Sequence, residues 1–146
     1  MLFLGGVDAN YYSGKFVWAD VLIPSYWLVG MGGVYVNGTQ VHHCGLSYCP
    51  TVIDTGTSIL LFSPEVGDPI LKKIGNVNAN CSNIGSLPTI SFSLGGISGG
   101  QLLTLEPEFY VIEAEGQCQL GIESSLLAAV QKRGKMVFFI LSSFFP

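Results

Sequence analysis

The sequence predicts a mostly-β domain, and three observations carry that reading. First, only 11% of its 146 residues are charged while 49% are hydrophobic, with an abundance of Gly and aromatic residues that suits strands better than helices. Second, short apolar runs alternate with turn residues along most of the chain. Third, Val34-Tyr35-Val36-Asn37-Gly38-Thr39-Gln40-Val41 carries the strongest short hairpin signal of all, Asn-Gly between two β-type runs. The length suits one domain with a real core, and neither an internal repeat nor a linker is visible.

The elements follow in order. Leu2-Phe3-Leu4 is apolar and ends at Gly5-Gly6, and residues 8–10 and 13–14 are turn material. Residues 15–23 alternate loosely and are expected to form a strand with Phe16 and Trp18 on its buried face. Pro24-Ser25 breaks it, and residues 26–29 resume extended structure before the Asn37-Gly38 hairpin. Thr51-Val52-Ile53 and residues 59–62 read as two further strands. Ser63-Pro64 opens a helix, with Ser63 as N-cap and Pro64 at its first position; it runs to Ile74, stops at Gly75, and is weakened by Gly67 and Pro69. Residues 88–94 alternate with Ile90, Phe92 and Leu94 inward, and residues 109–112 form another strand. Residues 124–130 turn helix-like, and the sequence from Phe138 onward is featureless and apolar.

Charge and cysteine content narrow the function classes. Six Lys and Arg against ten Asp and Glu give a net charge of -4, so no basic face exists for nucleic acid. Four cysteines, Cys44, Cys49, Cys81 and Cys118, are compatible with two disulfides and a secretory or vacuolar route, or with four reduced core thiols in the cytosol. Two sequons, Asn37-Gly38-Thr39 and Asn80-Cys81-Ser82, favour the secretory alternative. No signal peptide is visible in Met1-Leu2-Phe3-Leu4, which suggests that a longer protein begins upstream. The apolar run 136–141 is too short for a stable membrane span.

The chemistry concentrates in Val52-Ile53-Asp54-Thr55-Gly56-Thr57-Ser58. A β-branched run delivers a carboxylate to a tight turn, Gly56 permits close backbone approach, and Thr57 and Ser58 can donate hydrogen bonds that fix the carboxylate. Asp-Thr-Gly alone would suit a turn-capping aspartate. The five-residue motif behind a β-branched run favours a catalytic acid.

Here the sequence resembles the pepsin family of aspartic proteases, in its second lobe. Asp54-Thr55-Gly56-Thr57-Ser58 is similar to the family's second active-site motif. Phe3-Leu4-Gly5-Gly6-Val7-Asp8, Tyr11-Tyr12-Ser13-Gly14, Trp18, Tyr26-Trp27, Leu87-Pro88-Thr89-Ile90-Ser91-Phe92 and Tyr110 follow in family order. The resemblance implies one lobe of a bilobal acid-protease β-barrel fold, over residues 1–123 and incomplete at its C-terminus. It implies the disulfides Cys44–Cys49, with one extra residue in that small loop, and Cys81–Cys118. It implies an endopeptidase without cofactor, in which Asp54 and an aspartate of a first lobe activate water against a peptide bond. Thr55 would lock the two catalytic loops together, Thr57 would hydrogen-bond the outer carboxylate oxygen, and Val52 and Thr57 would face a substrate pocket.

Departures from the family pattern carry expectations too. The first lobe, with the partner aspartate and the flap tyrosine, is expected in cis on a longer chain. The family's apolar-apolar-Gly-Asp segment, whose strand crosses behind the catalytic loop, is not recognisable. Residues 124–146 read instead as a divergent apolar tail, and Gly134-Lys135 is what a read-through splice donor would encode.

Competing chemistry is thinner. His42-His43-Cys44 with Cys49 offers zinc-type ligands, but the cysteines have a better use as a disulfide, so no metal is assigned. The stretch Gly95-Gly96-Ile97-Ser98-Gly99-Gly100 lacks a following Lys and helix start and reads as a hairpin loop. Tyr11, Tyr12, Trp18, Tyr26 and Trp27 read as core and sheet packing. Besides half of a two-lobed endopeptidase, two readings stand: a one-lobe protease pairing two copies of Asp54 as a dimer, and a non-catalytic binding or inhibitor-like module.

Overall fold

A computed structural model describes residues 5–11, 15–24, 26–45, 47–95, 100–125 and 137–139. Among these residues ten strands and one α-helix are assigned: β1 (Leu28–Val36), β2 (Thr39–His43), β3 (Cys49–Ile53), β4 (Leu60–Phe62), α1 (Pro64–Ile74), β5 (Ile90–Leu94), β6 (Gln101–Leu105), β7 (Val111–Ala114), β8 (Gln117–Leu120), β9 (Ile122–Ser124) and β10 (Val137–Phe139). Eight of the strands form one sheet in the order β6-β5-β1-β3-β10-β4-β9, with β2 also on β1. The hairpin β7–β8 stands apart as a two-stranded sheet. The architecture is mostly β, as expected, and the sheet is open rather than a closed barrel.

The long strand β1 organises the sheet. Its first half pairs antiparallel with β3, from Leu28 opposite Val52 to Met31 opposite Cys49. Its second half pairs with β2 through Asn37-Gly38, both at positive φ (47° and 72°), as a two-residue turn of the hairpin-favouring type requires. Asn37 adds a reciprocal tie, its N–H donating to the Thr89 carbonyl and its Oδ1 accepting from the Thr89 N–H, both at 3.0 Å. On β5, Ile90, Phe92 and Leu94 are buried and face the core, following the alternation read in the sequence. The hairpin β5–β6 accounts for the glycine-rich turn, whose residues 96–99 lie outside the described set.

The core sits between this sheet and α1. Met31, Val34, Phe62, Phe92, Ile90, Val66 and Ile70 are fully buried, and the Phe62 and Phe92 rings stack at 6.2 Å. The helix starts and stops where the sequence indicates, after Ser63 in extended conformation and before Gly75 at φ 77°. Ser63 accepts the first helical bonds through its carbonyl, from Val66 and Gly67, while its buried hydroxyl has no partner among the described residues. Gly67, read as a weakness, has a packing reason. A Cβ there would lie 2.9 Å from the Ser124 Cβ and 3.0 Å from the Phe62 Cβ, so glycine allows α1 to approach β4 and β9.

Three expectations need correction. Residues 15–21 form no strand; among the described residues a single bridge, Ile23 to Leu28, is the only ladder contact assigned to residues 15–23. Without a partner strand to bury them, Phe16 and Trp18 lie exposed, and Tyr26 and Trp27 are likewise 60% and 72% exposed rather than packed in the core. The strand expected at 109–112 begins at Val111, because Pro107 draws residues 107–109 into a 3-10 turn. The helix-like reading of 126–130 and the strand reading of residues 2–4 lie outside the described residues, as does the burial of Tyr11 and Tyr12. Within the tail, residues 137–139 form β10, parallel to β3 and antiparallel to β4.

Candidate active site

The loop 54–59 joins β3 to β4, and these two strands are not neighbours. Strand β10 lies between them, pairing Val137 to Phe139 with Thr51 to Ile53 on one side and Val137 and Phe138 with Phe62 and Leu61 on the other. The loop therefore arches over a strand, and its two ends are anchored independently. Outward of β4, Leu60 is paired with Ile122 of β9, and the Leu60 N–H donates to the Gly121 carbonyl at 2.7 Å. At the other end the Ile53 N–H donates to the Trp27 carbonyl at 2.9 Å. The sequence shows no recognisable form of the family segment expected to cross behind this loop; what the structure has there is β10, between the two strands that the loop joins.

Asp54 is half-buried at the start of the arch, with one donor on each carboxylate oxygen. The Gly56 N–H donates to Oδ1 at 2.9 Å, and the Thr57 hydroxyl donates to Oδ2 at 2.6 Å. The Thr57 hydroxyl first, then the Gly56 N–H, hold the Asp54 carboxyl below its usual value, and its slight burial acts weakly the other way. Chemically this is an oriented, ionised carboxylate with lone pairs still open to solvent, able to accept a proton from a neighbouring molecule. Gly56 passes close over the carboxylate: a Cβ on it would stand 3.2 Å from Asp54 Oδ1.

Beside the carboxylate opens a cleft of about 670 Å³, lined by Val21, Pro24, Tyr26, Trp27, Val52, Ile53 and Asp54. Val52, expected to face a substrate pocket, is one of the residues lining this cleft. Thr57 is not among the residues lining this cleft; its hydroxyl is bonded to Asp54 Oδ2. Thr55 is exposed at the turn and its side chain makes no hydrogen bond among the described residues. Ser58 faces a different, smaller cavity. The sequence reading missed Tyr26 and Trp27 as cleft residues. Their position at the Pro24-Ser25 break, where a chain leaves regular structure, was the available signal.

The cysteines are paired as Cys44–Cys49 and Cys81–Cys118. His42 Nε2 lies 3.6 Å from Cys49 Sγ, but both sulfurs of that group are bonded to each other, as are those beside Glu113. Asn37 and Asn80 are both exposed in turns. No helix among the described residues is long and apolar enough to cross a membrane.

Comparison with known proteins places this geometry in context. The family model described as eukaryotic aspartyl protease matches residues 1–145. The chain is 33% identical over 132 residues to mouse (Mus musculus) gastricsin, and 36% identical over 133 residues to dog (Canis lupus familiaris) pepsin B. Each alignment covers 86% of this chain and 33% of the relative, so the chain spans about a third of the length of the curated proteins it matches.

Proposed function

Because the chain belongs to the eukaryotic aspartyl protease family, we propose that it is the lobe of an aspartic endopeptidase that supplies one of two catalytic aspartates, Asp54. The observation that carries the proposal is the carboxylate itself, fixed by the Gly56 N–H and the Thr57 hydroxyl and lining a cleft of about 670 Å³. A first lobe, in cis on a longer chain, brings the second aspartate, and Thr55 at the exposed turn is the residue available to join the two loops. Two carboxylates that close cannot both ionise, so the pair shares a proton and titrates as a unit. The ionised member takes a proton from a water held between them as that water attacks the peptide carbonyl, and the protonated member donates to the carbonyl oxygen. The donors on Asp54 favour its ionised form. Val52 lines a substrate pocket, and Thr57 acts through the carboxylate it holds.

The isolated chain, with one carboxylate, is inactive by this mechanism. The paired cysteines support passage through an oxidising, secretory compartment, with Asn37 and Asn80 as glycan acceptors. Cleavage of a protein substrate at acidic pH by the full-length protein carrying this chain, and its loss to background on Asp54→Asn, is the expected result; turnover that survives Asp54→Asn sinks the proposal. A one-lobe dimer has one observation in its favour, the strand β10 that completes the framework around the loop. Acid turnover by the isolated chain, abolished by Asp54→Asn, would establish that reading instead.

A further inference from the structure

The residues around the Cys44–Cys49 disulfide have a second use. His42 Nε2 lies 3.6 Å from Cys49 Sγ, and the ligand atoms of His42, Cys44 and Cys49 all lie within 4.8 Å of one another. The frame that gathers them does not depend on the sulfur–sulfur bond. His42 on β2 is opposite Val34, Cys49 on β3 is opposite Met31, and the Cys44 N–H donates to the Gly32 carbonyl at 3.0 Å. Backbone pairing with one short stretch of β1 therefore registers all three. Cys44 and Cys49 are buried and His42 is half-buried, whereas His43 is exposed and its Nδ1 is hydrogen-bonded to Gln40.

Tetrahedral zinc holds thiolate sulfur at about 2.3 Å and imidazole nitrogen at about 2.0–2.1 Å, which sets a sulfur and a nitrogen ligand about 3.6 Å apart and two sulfurs about 3.8 Å apart. His42 and Cys49 already stand at the first separation, and the two sulfurs reach the second once the bond between them is cut. We propose that His42, Cys44 and Cys49 form a zinc site when the Cys44–Cys49 disulfide is reduced, with water as the fourth ligand. A dithiol reductant supplies two electrons and two protons, leaving Cys44 and Cys49 as thiols and itself as a cyclic disulfide. Zn²⁺ then displaces both thiol protons to solvent. Two thiolates and a neutral imidazole leave the site without net charge, which suits its burial. Disulfide and metal are alternatives: the oxidised form excludes zinc, and bound zinc ties up the thiolates that oxidation needs. None of the three residues lines the Asp54 cleft, so the inference stands apart from the endopeptidase reading.

The test uses the full-length protein carrying this chain, reduced with dithiothreitol under non-denaturing conditions, freed of reductant and handled without oxygen. Zinc uptake is measured by competition with a chromophoric chelator, and cobalt(II) in place of zinc reports thiolate ligation by its absorption. The reduced parent is expected to bind one zinc more than either the oxidised parent or the reduced double variant Cys44→Ser with Cys49→Ser. His42→Ala is expected to weaken that zinc by about a hundredfold, because losing even a hydrogen-bond partner of a metal ligand costs about 10–100-fold. Glu113→Gln, beside the other disulfide, is expected to leave it unchanged. Alkylation read by peptide mass spectrometry locates the ion: zinc is expected to protect Cys44 and Cys49 and to leave Cys81 and Cys118 as reactive as before. Equal zinc uptake by the reduced parent and the double variant, an affinity that ignores His42→Ala, or alkylation of Cys44 and Cys49 that ignores zinc overturns the inference. A parent that unfolds on reduction, by circular dichroism, and is not restored by zinc overturns it too.

Discussion

Replacing Gly67 by alanine sets two effects of known size against each other. In an exposed helix interior the change favours folding by about 0.8–1 kcal/mol, because glycine loses more backbone freedom. At Gly67 the added Cβ meets Ser124 Cβ at 2.9 Å and Phe62 Cβ at 3.0 Å, with Ser124 Oγ at 3.2 Å. Carbon atoms pack comfortably at about 3.5–4.0 Å, so two contacts are each short by roughly half an ångström or more. Both carbons are rooted directly on strand backbone and cannot swing aside. Relief requires α1 to withdraw, which loosens Val66, Ile70 and Ile74, all buried on the face it turns to the sheet. Overpacking of this kind costs about 1–3 kcal/mol, so Gly67→Ala is expected to lower stability by about 1 kcal/mol net. Gly85→Ala is the reference, since nothing lies within 4 Å of its added Cβ and its φ is not positive; it is expected to be neutral or stabilising by up to about 1 kcal/mol. Urea unfolding of both variants measures the difference. Adding Ser124→Gly to Gly67→Ala removes the shortest contact and should recover part of the loss. If Gly67→Ala gains the full helix-propensity increment, the close approach of α1 to β4 and β9 is wrong.

Two other perturbations probe the site and its surroundings. Thr57→Val removes the donor that most lowers the Asp54 carboxyl, so the carboxyl titrates at higher pH, read by carboxyl-carbon NMR. A depressed folded value stabilises the protein above the unfolded carboxylate value of 3.8 and loses that contribution as pH falls through the folded value. Thr57→Val should therefore flatten the acid limb of a stability-versus-pH curve, and an unchanged limb would contradict the assignment. Tyr110→Phe deletes the hydroxyl that donates to the Pro88 carbonyl at 2.6 Å, at a cost of about 1–2 kcal/mol for the orphaned acceptor. The raised Tyr110 value means that its contribution is complete below pH 10.0 and fades as pH rises to about 12, which an ultraviolet phenolate titration of the parent should follow.

What the sequence disclosed was local chemistry. Asn37-Gly38 announces its hairpin because positive φ is needed at two successive residues; Pro64 opens α1 because its ring suits the first helical turn, and Gly75 closes it at φ 77°. The carboxylate turn was legible because its ligands, Gly56 and Thr57, lie within three residues of Asp54. Pairing between distant segments was not. Residues 15–21 have strand-like composition, yet a strand exists only where a partner supplies hydrogen bonds, and none is assigned there. Strand β10 had the reverse fate, since an apolar run without turn signals gave no hint that it would pair with β3 and β4. The β7–β8 turn was overlooked because it uses Glu115-Gly116, at φ 53° and 73°, in place of the commoner Asn-Gly. The cleft aromatics were misplaced because bulk alone does not distinguish a core ring from a rim ring.

The placement of β10 also governs the order of events during folding. Strands β1, β2 and β3 can assemble from neighbouring segments, since their pairings span short stretches of chain. The pairing of Thr51 with Val137 closes a far longer stretch, and contacts of that kind form late because the entropy of closure is lost before the ladder is gained. Until then, the edges of β3 and β4 on either side of the Asp54 loop stand open to other strands. The half-folded species is thus an aggregation hazard at the very place where the carboxylate will sit. The geometry of the Asp54 loop is therefore expected to be among the last features the chain acquires.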